Sequence, residues 1–522
     1  MTFLEDRDLT DVPRIPEYYA GKTIFMTGGT GFMGKVLLEK LIYSCPDLDR
    51  IYLLLRPKKG VKPADRLSTI YASNCFDRLR NERPGVFESK TCYVEGDCSE
   101  IGLGLSDEDR SLIISRTHII YHAAASVRFD DSLKMSLKLN LRGTREVIDL
   151  AQQLRHLECF VHVSTSYANI NCDPIEEVMY PPHADWREVL EICENIDDHT
   201  LNVLTPKYIG ALPNTYVFSK QLAEHLVYEQ KGKLPVIIIR PSVVVASVNE
   251  PVPGWIENFN GPISLVIASG KGILRTIYGD PDVAPDFIPV DVVIRGVVAA
   301  SWVRGTKQLE PTDDIPIYNT CNGSKCYSVS HKELFTLGKI IIASHPLDDM
   351  LWTTGGTFTT NKTVYFTKML LLHVLPAILV DTLLWIFGRK TMLLKIQRRI
   401  YSANLALQLF LTKVWTISNK NYLFLRTKIK EEDNEHFYYV MEDVERYEYC
   451  KNAIIGARRY LLKERDEDIP KARAHHKRIA LLDQLVQCLF YSYIFWSLIH
   501  TDFVRSLFEK YTLNFCSHLY KL

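Results

Sequence analysis

Short apolar runs alternate with helical stretches from Thr23 to about Ala343. Several of these runs are apolar throughout rather than alternating with polar residues, which is typical of strands buried on both faces of a parallel sheet. The runs are TIFMT, RIYLLL, TCYVEG, HIIYHA, CFVHVST and PVIIIRPSVVV. The pattern predicts a doubly wound α/β domain of the Rossmann type over residues 1–345.

The pattern changes after residue 345. The segment HPLDDMLWTTGGTFTTNK is polar with two adjacent glycines, which predicts a linker over residues 346–361. Beyond it helical spacing replaces the strand runs, and basic residues are set among leucines. We expect a smaller, mainly α-helical domain over residues 362–475, followed by a membrane-associated segment over residues 476–522.

Two apolar stretches lie in this C-terminal part, at residues 365–388 and 479–501. The first is interrupted by polar residues and a proline, so we expect a core helix rather than a membrane span; the interruptions are Lys368, His373, Pro376 and Asp381. The second is uncharged from Gln484 to Ile499, just short of the ~20 residues that a span needs. A basic cluster at residues 473–478 favours a cytosolic flank. The second stretch is therefore expected to hold the protein to a membrane, with a core helix as the alternative.

Composition and charge narrow the possible functions. The 522 residues are 47% hydrophobic and 24% charged, which is typical of a globular protein. The 62 Lys and Arg balance 62 Asp and Glu, so no overall basic field favours a nucleic-acid partner. Acidic residues at the N-terminus argue against a secretory signal, and the final Tyr-Lys-Leu lacks the small residue of a peroxisomal address. Cys321 and Cys326 have no further ligands at zinc spacing, so we expect reduced thiols and no metal site.

A glycine-rich turn carries the strongest local signal. The run TIFMT is followed by Gly28-Gly29-Thr30-Gly31-Phe32-Met33-Gly34 and then by an amphipathic stretch, which gives strand, turn and helix in that order. Glycines at every third position let the backbone approach a pyrophosphate at the helix N-terminus. The alternative is a turn that only packs the helix on the strand.

The residues after the second strand indicate which dinucleotide binds. An acidic residue would hold the ribose hydroxyl of NAD, whereas this chain has Arg56-Pro57-Lys58-Lys59. Cations suit a 2′-phosphate, so we expect NADPH; a solvated basic loop is the alternative. Asp97 can hydrogen-bond the adenine amino group. The full set predicted to contact the cofactor is Thr27, Gly28, Thr30, Gly31, Phe32, Gly34, Arg56, Asp97, Ala123, Lys220 and Pro241.

Three of the catalytic candidates lie between the fifth and sixth strands, and the fourth, Asn140, lies before the fifth. Tyr216 and Lys220 are spaced i, i+4, so on a helix they share one face, where the ammonium can lower the phenol pKa and hold the nicotinamide ribose. Two other Tyr-x-x-x-Lys pairs begin at Tyr18 and Tyr447, but only the middle pair lies after the fifth strand and before a further buried strand. Thr165, with Ser164 and Ser166 as alternatives, can bind a carbonyl oxygen at the end of the fifth strand. Asn140 can complete a proton relay by fixing a water near Lys220.

Longer segments resemble one family. The sequences VHVSTSYAN, YVFSKQLAEHLV and IIIRPSVVVAS, together with the glycine turn and its flanks, look like the reductase domain of alcohol-forming fatty acyl-CoA reductases. HVLPAILVDTLLWIFGRK and GARRYLLKE resemble the C-terminal helical domain of that family. The resemblance implies NADPH-dependent reduction of a long-chain acyl-CoA to a fatty alcohol, with Thr165, Tyr216, Lys220 and Asn140 at catalytic positions. It also implies association with the endoplasmic reticulum membrane, or with peroxisomes in some members.

We therefore expect a cytosolic catalytic domain on a membrane that takes long-chain acyl-CoA and membrane lipid as partners. Hydride reaches the thioester carbonyl carbon, Tyr216 protonates the oxygen, CoA departs, and a second hydride converts the aldehyde to the alcohol. A membrane-bound reductase acting on a sterol or sugar nucleotide would share every cofactor motif. A binding protein that uses NADPH structurally is the alternative from another class.

Overall fold

A computed structural model describes residues 12–57, 60–308, 314–323, 328–439, 444–500 and 506. Seven parallel strands form the central sheet in the order β10-β6-β5-β4-β1-β2-β3. The strands of the described residues are β1 Thr23–Thr27, β2 Arg50–Leu55, β3 Thr91–Glu95, β4 Ile119–His122, β5 Cys159–Val163, β6 Val236–Pro241, β7 Val243–Val245, β8 Thr276–Tyr278, β9 Phe287–Pro289, β10 Ile317–Thr320 and β11 Thr357–Thr359. The order reverses between β1 and β4, which is the topological switch point where doubly wound sheets bind ligands. The predicted Rossmann fold is confirmed.

Helices cover both faces of the sheet and form the C-terminal region. In the described residues they are α1 Ile15–Tyr19, α2 Phe32–Ser44, α3 Pro63–Tyr71, α4 Asp77–Glu82, α5 Val86–Lys90, α6 Asp107–Arg116, α7 Leu133–Ser136, α8 Gly143–Ala151, α9 Trp186–Asn195, α10 Asp198–Ile209, α11 Thr215–Tyr228, α12 Pro262–Gly270, α13 Val290–Gly305, α14 His331–Ser344, α15 Lys362–Met369, α16 Leu375–Ile386, α17 Leu393–Thr412, α18 Lys420–Arg426, α19 Asn434–Phe437, α20 Arg446–Gly456 and α21 Ile469–Ile499. The mainly helical C-terminal region expected from the sequence is therefore present.

The apolar strand runs are explained by two cores, one on each face of the sheet. All five residues of β1 are buried. Ile24 and Met26 belong to one hydrophobic cluster, with α2 and α13, whereas Phe25 belongs to the other, with α8 and α11. Because successive strand residues point to opposite faces, a strand between two cores favours apolar residues on both faces.

The C-terminal region packs into the reductase fold at several points. Leu347 and Met350, in the segment predicted as a linker, are buried, and β11 pairs with β8. The Trp415 indole donates a hydrogen bond of 2.8 Å to the Ile170 carbonyl. At α20, a Cβ on Gly456 would lie 1.8 Å from the Gly254 carbonyl oxygen, so the two backbones are in direct contact.

The first apolar stretch, 365–388, differs from the core helix that we expected. Only 17% of the most apolar part of this helix is buried, and none of the most apolar part of α21 is buried. The prediction was wrong because His373 and Asp381 lie on one buried face, which leaves most of the apolar residues outside. Within the described residues, these two helices are long and apolar enough to cross a membrane. Of residues 501–522, all but 506 lie outside the described part of the chain.

Candidate active site

The glycine turn joins β1 to α2 at the carboxyl edge of the sheet. Gly28 has a φ of +79°, and a Cβ there would lie 2.6 Å from the backbone of Ala123 at the end of β4. A Cβ on Gly34 would lie 2.2 Å from the Gly28 carbonyl oxygen, which also accepts a 2.9 Å hydrogen bond from the Gly31 amide. Thr30 and Gly31 are exposed at the tip. The turn is thus a cradle of bare backbone at a helix N-terminus, which fits a dinucleotide pyrophosphate.

Aromatic packing fixes the start of α2. The ring of Phe32 stacks on the buried indole of Trp255, with centroids 5.1 Å apart and planes 16° apart. Nothing in the local sequence of the turn pointed to Trp255, because more than 200 residues separate the two. This stack orients the first helical turn relative to the cradle.

A pair of arginines lies at the end of β2. Arg56 is exposed there, and the Arg66 guanidinium on α3 donates to the Arg56 carbonyl. Burial and the charge of Arg56 lower the pKa of Arg66, while Asp97 acts in the opposite direction. Asp97 uses one carboxylate oxygen to accept hydrogen bonds of 2.9 Å from the amide and the hydroxyl of Ser99. Lys58 and Lys59 lie outside the described residues.

Tyr216 and Lys220 share the inner face of α11. The Lys220 ammonium is buried and donates a 2.6 Å hydrogen bond to the Val163 carbonyl at the end of β5. Burial lowers the pKa of Lys220 to about 8. Burial also raises the pKa of Tyr216 to about 12, an effect that a hydrogen bond with the Thr165 side chain opposes. Tyrosine, lysine and threonine therefore meet at the carboxyl edge, as predicted from their positions in the sequence.

The three hydroxyls after β5 have different partners. Thr165 caps the short helical turn that follows, accepting from the Tyr167 amide at 3.3 Å and donating to the Pro241 carbonyl at 3.4 Å. The Ser166 hydroxyl donates to the Arg240 carbonyl at 2.7 Å. The buried Ser164 hydroxyl has no partner in the described part of the structure. This geometry favours Thr165 over the two serines for the substrate oxygen, since its hydroxyl interacts with Tyr216.

Asn140 lies in a π-helical turn, Leu137–Arg142, between α7 and α8. Its side-chain oxygen accepts from the Ser126 amide at 2.8 Å, and its side-chain nitrogen donates to the Ser126 carbonyl at 3.1 Å and to the Ser219 hydroxyl at 3.0 Å. Such turns occur frequently at functional sites. The Asn140 side chain ties the loop after β4 to α11, next to Lys220.

A directional chain of hydrogen bonds runs beneath the cofactor cradle. The Thr144 hydroxyl donates to the Asn140 carbonyl at 2.7 Å, so it accepts from His122 Nε2 at 3.0 Å. His122 Nδ1 then accepts from the Thr27 hydroxyl at 2.8 Å, and that hydroxyl accepts from the Ala124 amide at 3.3 Å. Burial and the nearby Lys220 charge lower the pKa of His122 to about 3, so the ring is neutral. Thr27 is thus a supporting residue beneath the turn.

A buried ion pair fixes α11 against β6. Arg240 donates to both carboxylate oxygens of Glu224 at 2.9 and 2.8 Å, and to the carbonyls of Glu176 and Val178 at 3.1 and 3.0 Å. Both side chains are at most 1% exposed. Glu224 follows Lys220 by one helical turn, so the pair sets the position of the catalytic face. Pro241, predicted to contact the cofactor, is buried as the last residue of β6.

Aromatic rings cover Tyr216. Phe129 lies 5.8 Å from the Tyr216 ring and stacks on Phe410 of α17 at 5.5 Å. A cavity of about 280 Å³ lies beside Phe129, between the start of α11 and α17, and Leu405 and Leu409 line it. The helical region therefore supplies an apolar wall to the reductase site. Sequence reasoning missed this wall, because each motif was considered within its own domain.

The dinucleotide cradle and the parallel sheet define the class of protein: a nicotinamide-dependent reductase with a short-chain dehydrogenase fold. Two family patterns, both described as male sterility protein, match the chain: a NAD-binding pattern over residues 26–297 and a second over residues 372–464. Fatty acyl-CoA reductase 1 of Homo sapiens is 39% identical over 469 residues, which cover 89% of each chain. Fatty acyl-CoA reductase 2 of Mus musculus is 35% identical over 506 residues, or 96% of each chain. The chain belongs to the fatty acyl-CoA reductase family.

Solved structures agree with the fold. The reductase domain of a non-ribosomal peptide synthetase from Mycobacterium tuberculosis superimposes with a TM-score of 0.57 at 17% identity, covering 86% of this chain and 93% of that one. The terminal reductase domain of the myxalamid pathway gives 0.55 at 20% identity, with coverages of 84% and 90%. At these identities the likeness concerns the fold alone.

Proposed function

We propose that this protein reduces long-chain fatty acyl-CoA to fatty alcohol with NADPH, through an aldehyde and with release of CoA. The observation that carries the proposal is the Tyr216–Lys220 face beside the glycine cradle, in a chain whose relatives are named fatty acyl-CoA reductases. We further propose that it acts on the cytosolic face of the endoplasmic reticulum membrane, with the peroxisomal membrane as the alternative.

Each catalytic residue has a defined role in this scheme. NADPH, when bound, supplies the hydride. The phenol of Tyr216 donates its proton to the carbonyl oxygen, while the Thr165 hydroxyl holds that oxygen in place. The Lys220 ammonium stabilises the phenolate that remains and donates a proton to it, and the resulting amine regains a proton from a water that Asn140 holds near Lys220. Phe129 and Phe410 exclude water from the acyl side.

The 2′-phosphate is assigned to Arg56 and Arg66. A doubly charged phosphate needs nearby donors. Arg56 is exposed at the end of β2, where the adenine ribose binds in this fold, and the Arg66 guanidinium contacts the Arg56 carbonyl there. Exchanging Arg56 for Asp is expected to raise the KM for NADPH at least tenfold while leaving that for NADH near its original value. An equal rise with both cofactors would contradict the assignment.

The reaction is tested by turnover of purified protein in lipid vesicles with a panel of acyl-CoA chain lengths. We expect a fatty alcohol by mass spectrometry, two NADPH oxidised per alcohol, and direct reduction of added aldehyde. A hydrazine trap distinguishes the alternative. Stoichiometric aldehyde capture at one NADPH per acyl-CoA means an aldehyde-forming enzyme, and no CoA release from any acyl-CoA means a different substrate class.

A further inference from the structure

The helices α15 and α16 present two different faces. The buried residues are Tyr365, His373, Ala377 and Asp381, whose separations of eight, four and four residues place them on one face. The other face is strongly apolar and exposed: Leu379 is 63% exposed and Trp385 is 72% exposed. Since a soluble surface rarely carries so large an apolar patch, this face has a partner.

The buried face is fixed to the body of the protein by specific hydrogen bonds. His373 Nε2 accepts from the amides of Arg275 and Thr276 at 3.1 Å each, and its Nδ1 lies 2.8 Å from the Gln397 side-chain oxygen. Asp381 accepts from three successive amides at the start of α17, at 2.9 to 3.0 Å. Inserting this helix across a bilayer would break these bonds in a medium that offers no replacement.

The chain returns to the same strand on both sides of the segment. β11, which pairs with β8, directly precedes α15. α17, which directly follows the loop after α16, uses the Asn404 side chain to accept from the Tyr278 amide of β8 at 3.3 Å. Because the chain before the segment and the chain after it contact one short strand, both flanks lie on the same side of any membrane, so the segment does not cross it as a single span.

The charge of the surrounding sequence indicates which partner covers the exposed apolar face of α15 and α16. From residue 350 to residue 430 the chain has twelve Lys and Arg but only one acidic residue, Asp381, although the whole chain is neutral. Five exposed cations follow the apolar face directly and have no ion pair within the described residues; they are Arg389, Lys390, Lys395, Arg398 and Arg399. An apolar helix face beside a basic cluster is the pattern of a helix that lies in the surface of an anionic bilayer.

We propose that α15 and α16 lie flat in one leaflet of an anionic membrane, with their apolar face among the acyl chains and the cluster 389–399 on the lipid headgroups. This contact is separate from α21, which projects from the fold after Asp483, where the carboxylate accepts from the Trp352 indole at 2.5 Å. The proposal concerns membrane geometry only, and its test does not depend on the reaction.

The test uses the full-length protein in sealed vesicles that contain phosphatidylserine. Thr360→Cys and Lys390→Cys lie at the two ends of the segment, and Val203→Cys on α10 reports the side of the reductase fold. Labelling by a membrane-impermeant maleimide is read by peptide mass spectrometry, which separates the introduced thiols from native ones. We expect all three positions to react without detergent. If the cysteine at either end of the segment is protected from the maleimide while Val203→Cys reacts, the segment spans the membrane. That result overturns the proposal.

The fluorescence of Trp385 measures how deeply the apolar face enters the membrane, and charge-reversal variants test the role of the basic cluster. The difference in fluorescence between the parent and Trp385→Phe is expected to fall at least twofold when brominated lipids are included, and more with shallow than with deep bromines. Arg398→Glu with Arg399→Glu should abolish that quenching, whereas the control Lys207→Glu with Lys339→Glu should not. If Trp385 is not quenched, or if Leu379→Cys crosslinks between two chains instead, the face binds a second copy and the proposal fails.

Discussion

Replacing Tyr216 by Phe tests the centre of the proposed mechanism. The ring lies in an aromatic environment 5.8 Å from Phe129, so phenylalanine fits the same space and only the hydroxyl is lost. General acid catalysis contributes about 10²- to 10⁴-fold, and each tenfold corresponds to ~1.36 kcal/mol, so the barrier should rise by about 3 to 5 kcal/mol. The glycine cradle is untouched, and NADPH affinity should stay within about twofold.

The assay is acyl-CoA-dependent NADPH oxidation, with cofactor binding measured separately by fluorescence. Tyr447→Phe is the matched control, since Tyr447 has the same spacing to Lys451 but lies on α20, where Lys451 pairs with Glu448. It should keep nearly full activity. The mechanism is refuted if Tyr216→Phe retains more than a tenth of parent activity, or if Tyr447→Phe abolishes it.

Three further predictions follow from the geometry. The kcat/KM is expected to be constant at low pH and to fall as the pH rises through about 8, because the buried Lys220, whose pKa is about 8, then loses its charge while Tyr216 remains protonated. Lys220→Arg should move this decline to higher pH, and a profile flat to pH 10 would contradict the role of the Lys220 charge. Gly34→Ala should raise the cofactor KM at least tenfold, since its Cβ would meet the Gly28 carbonyl at 2.2 Å. Gly21→Ala, whose Cβ meets nothing within 4 Å but whose φ is +67°, should lower stability and leave that KM unchanged. Arg240→Met leaves the Glu224 carboxylate buried without its partner, which should lower the free energy of unfolding by about 3 to 5 kcal/mol, and Arg240→Met with Glu224→Leu should recover most of the loss in thermal unfolding measurements.

The features that sequence predicted well are local. A glycine turn needs its residues within seven positions, and Tyr216 and Lys220 are one helical turn apart, so both follow from spacing and the order of strands. Arg66 was missed because it lies ten residues from Arg56 and no spacing rule joins them. Phe410 was missed because it comes from a different part of the chain and reaches the site only through the fold.

The error at residues 365–388 has a specific physical cause. In the sequence, His373 and Asp381 interrupt an apolar helix, which favours a core position over a membrane span. In the fold they are eight residues apart on one face and bind backbone amides of β8 and α17. A sequence shows that the two residues share a face, but it does not show which backbone amides they bind, and the amides that His373 binds are 97 and 98 residues away.

The contact between Gly254 and Gly456 bears on how the chain is synthesised. At each glycine, the backbone of the other segment occupies the space that a Cβ would need. A Cβ at Gly254 would lie 2.0 Å from the Asn452 carbonyl oxygen. A nascent chain that has emerged only to the end of α14 therefore leaves this surface of the reductase fold uncovered. Packing of this surface is therefore expected to be completed only after α20 leaves the ribosome, and a chain that ends before α20 is expected to expose it.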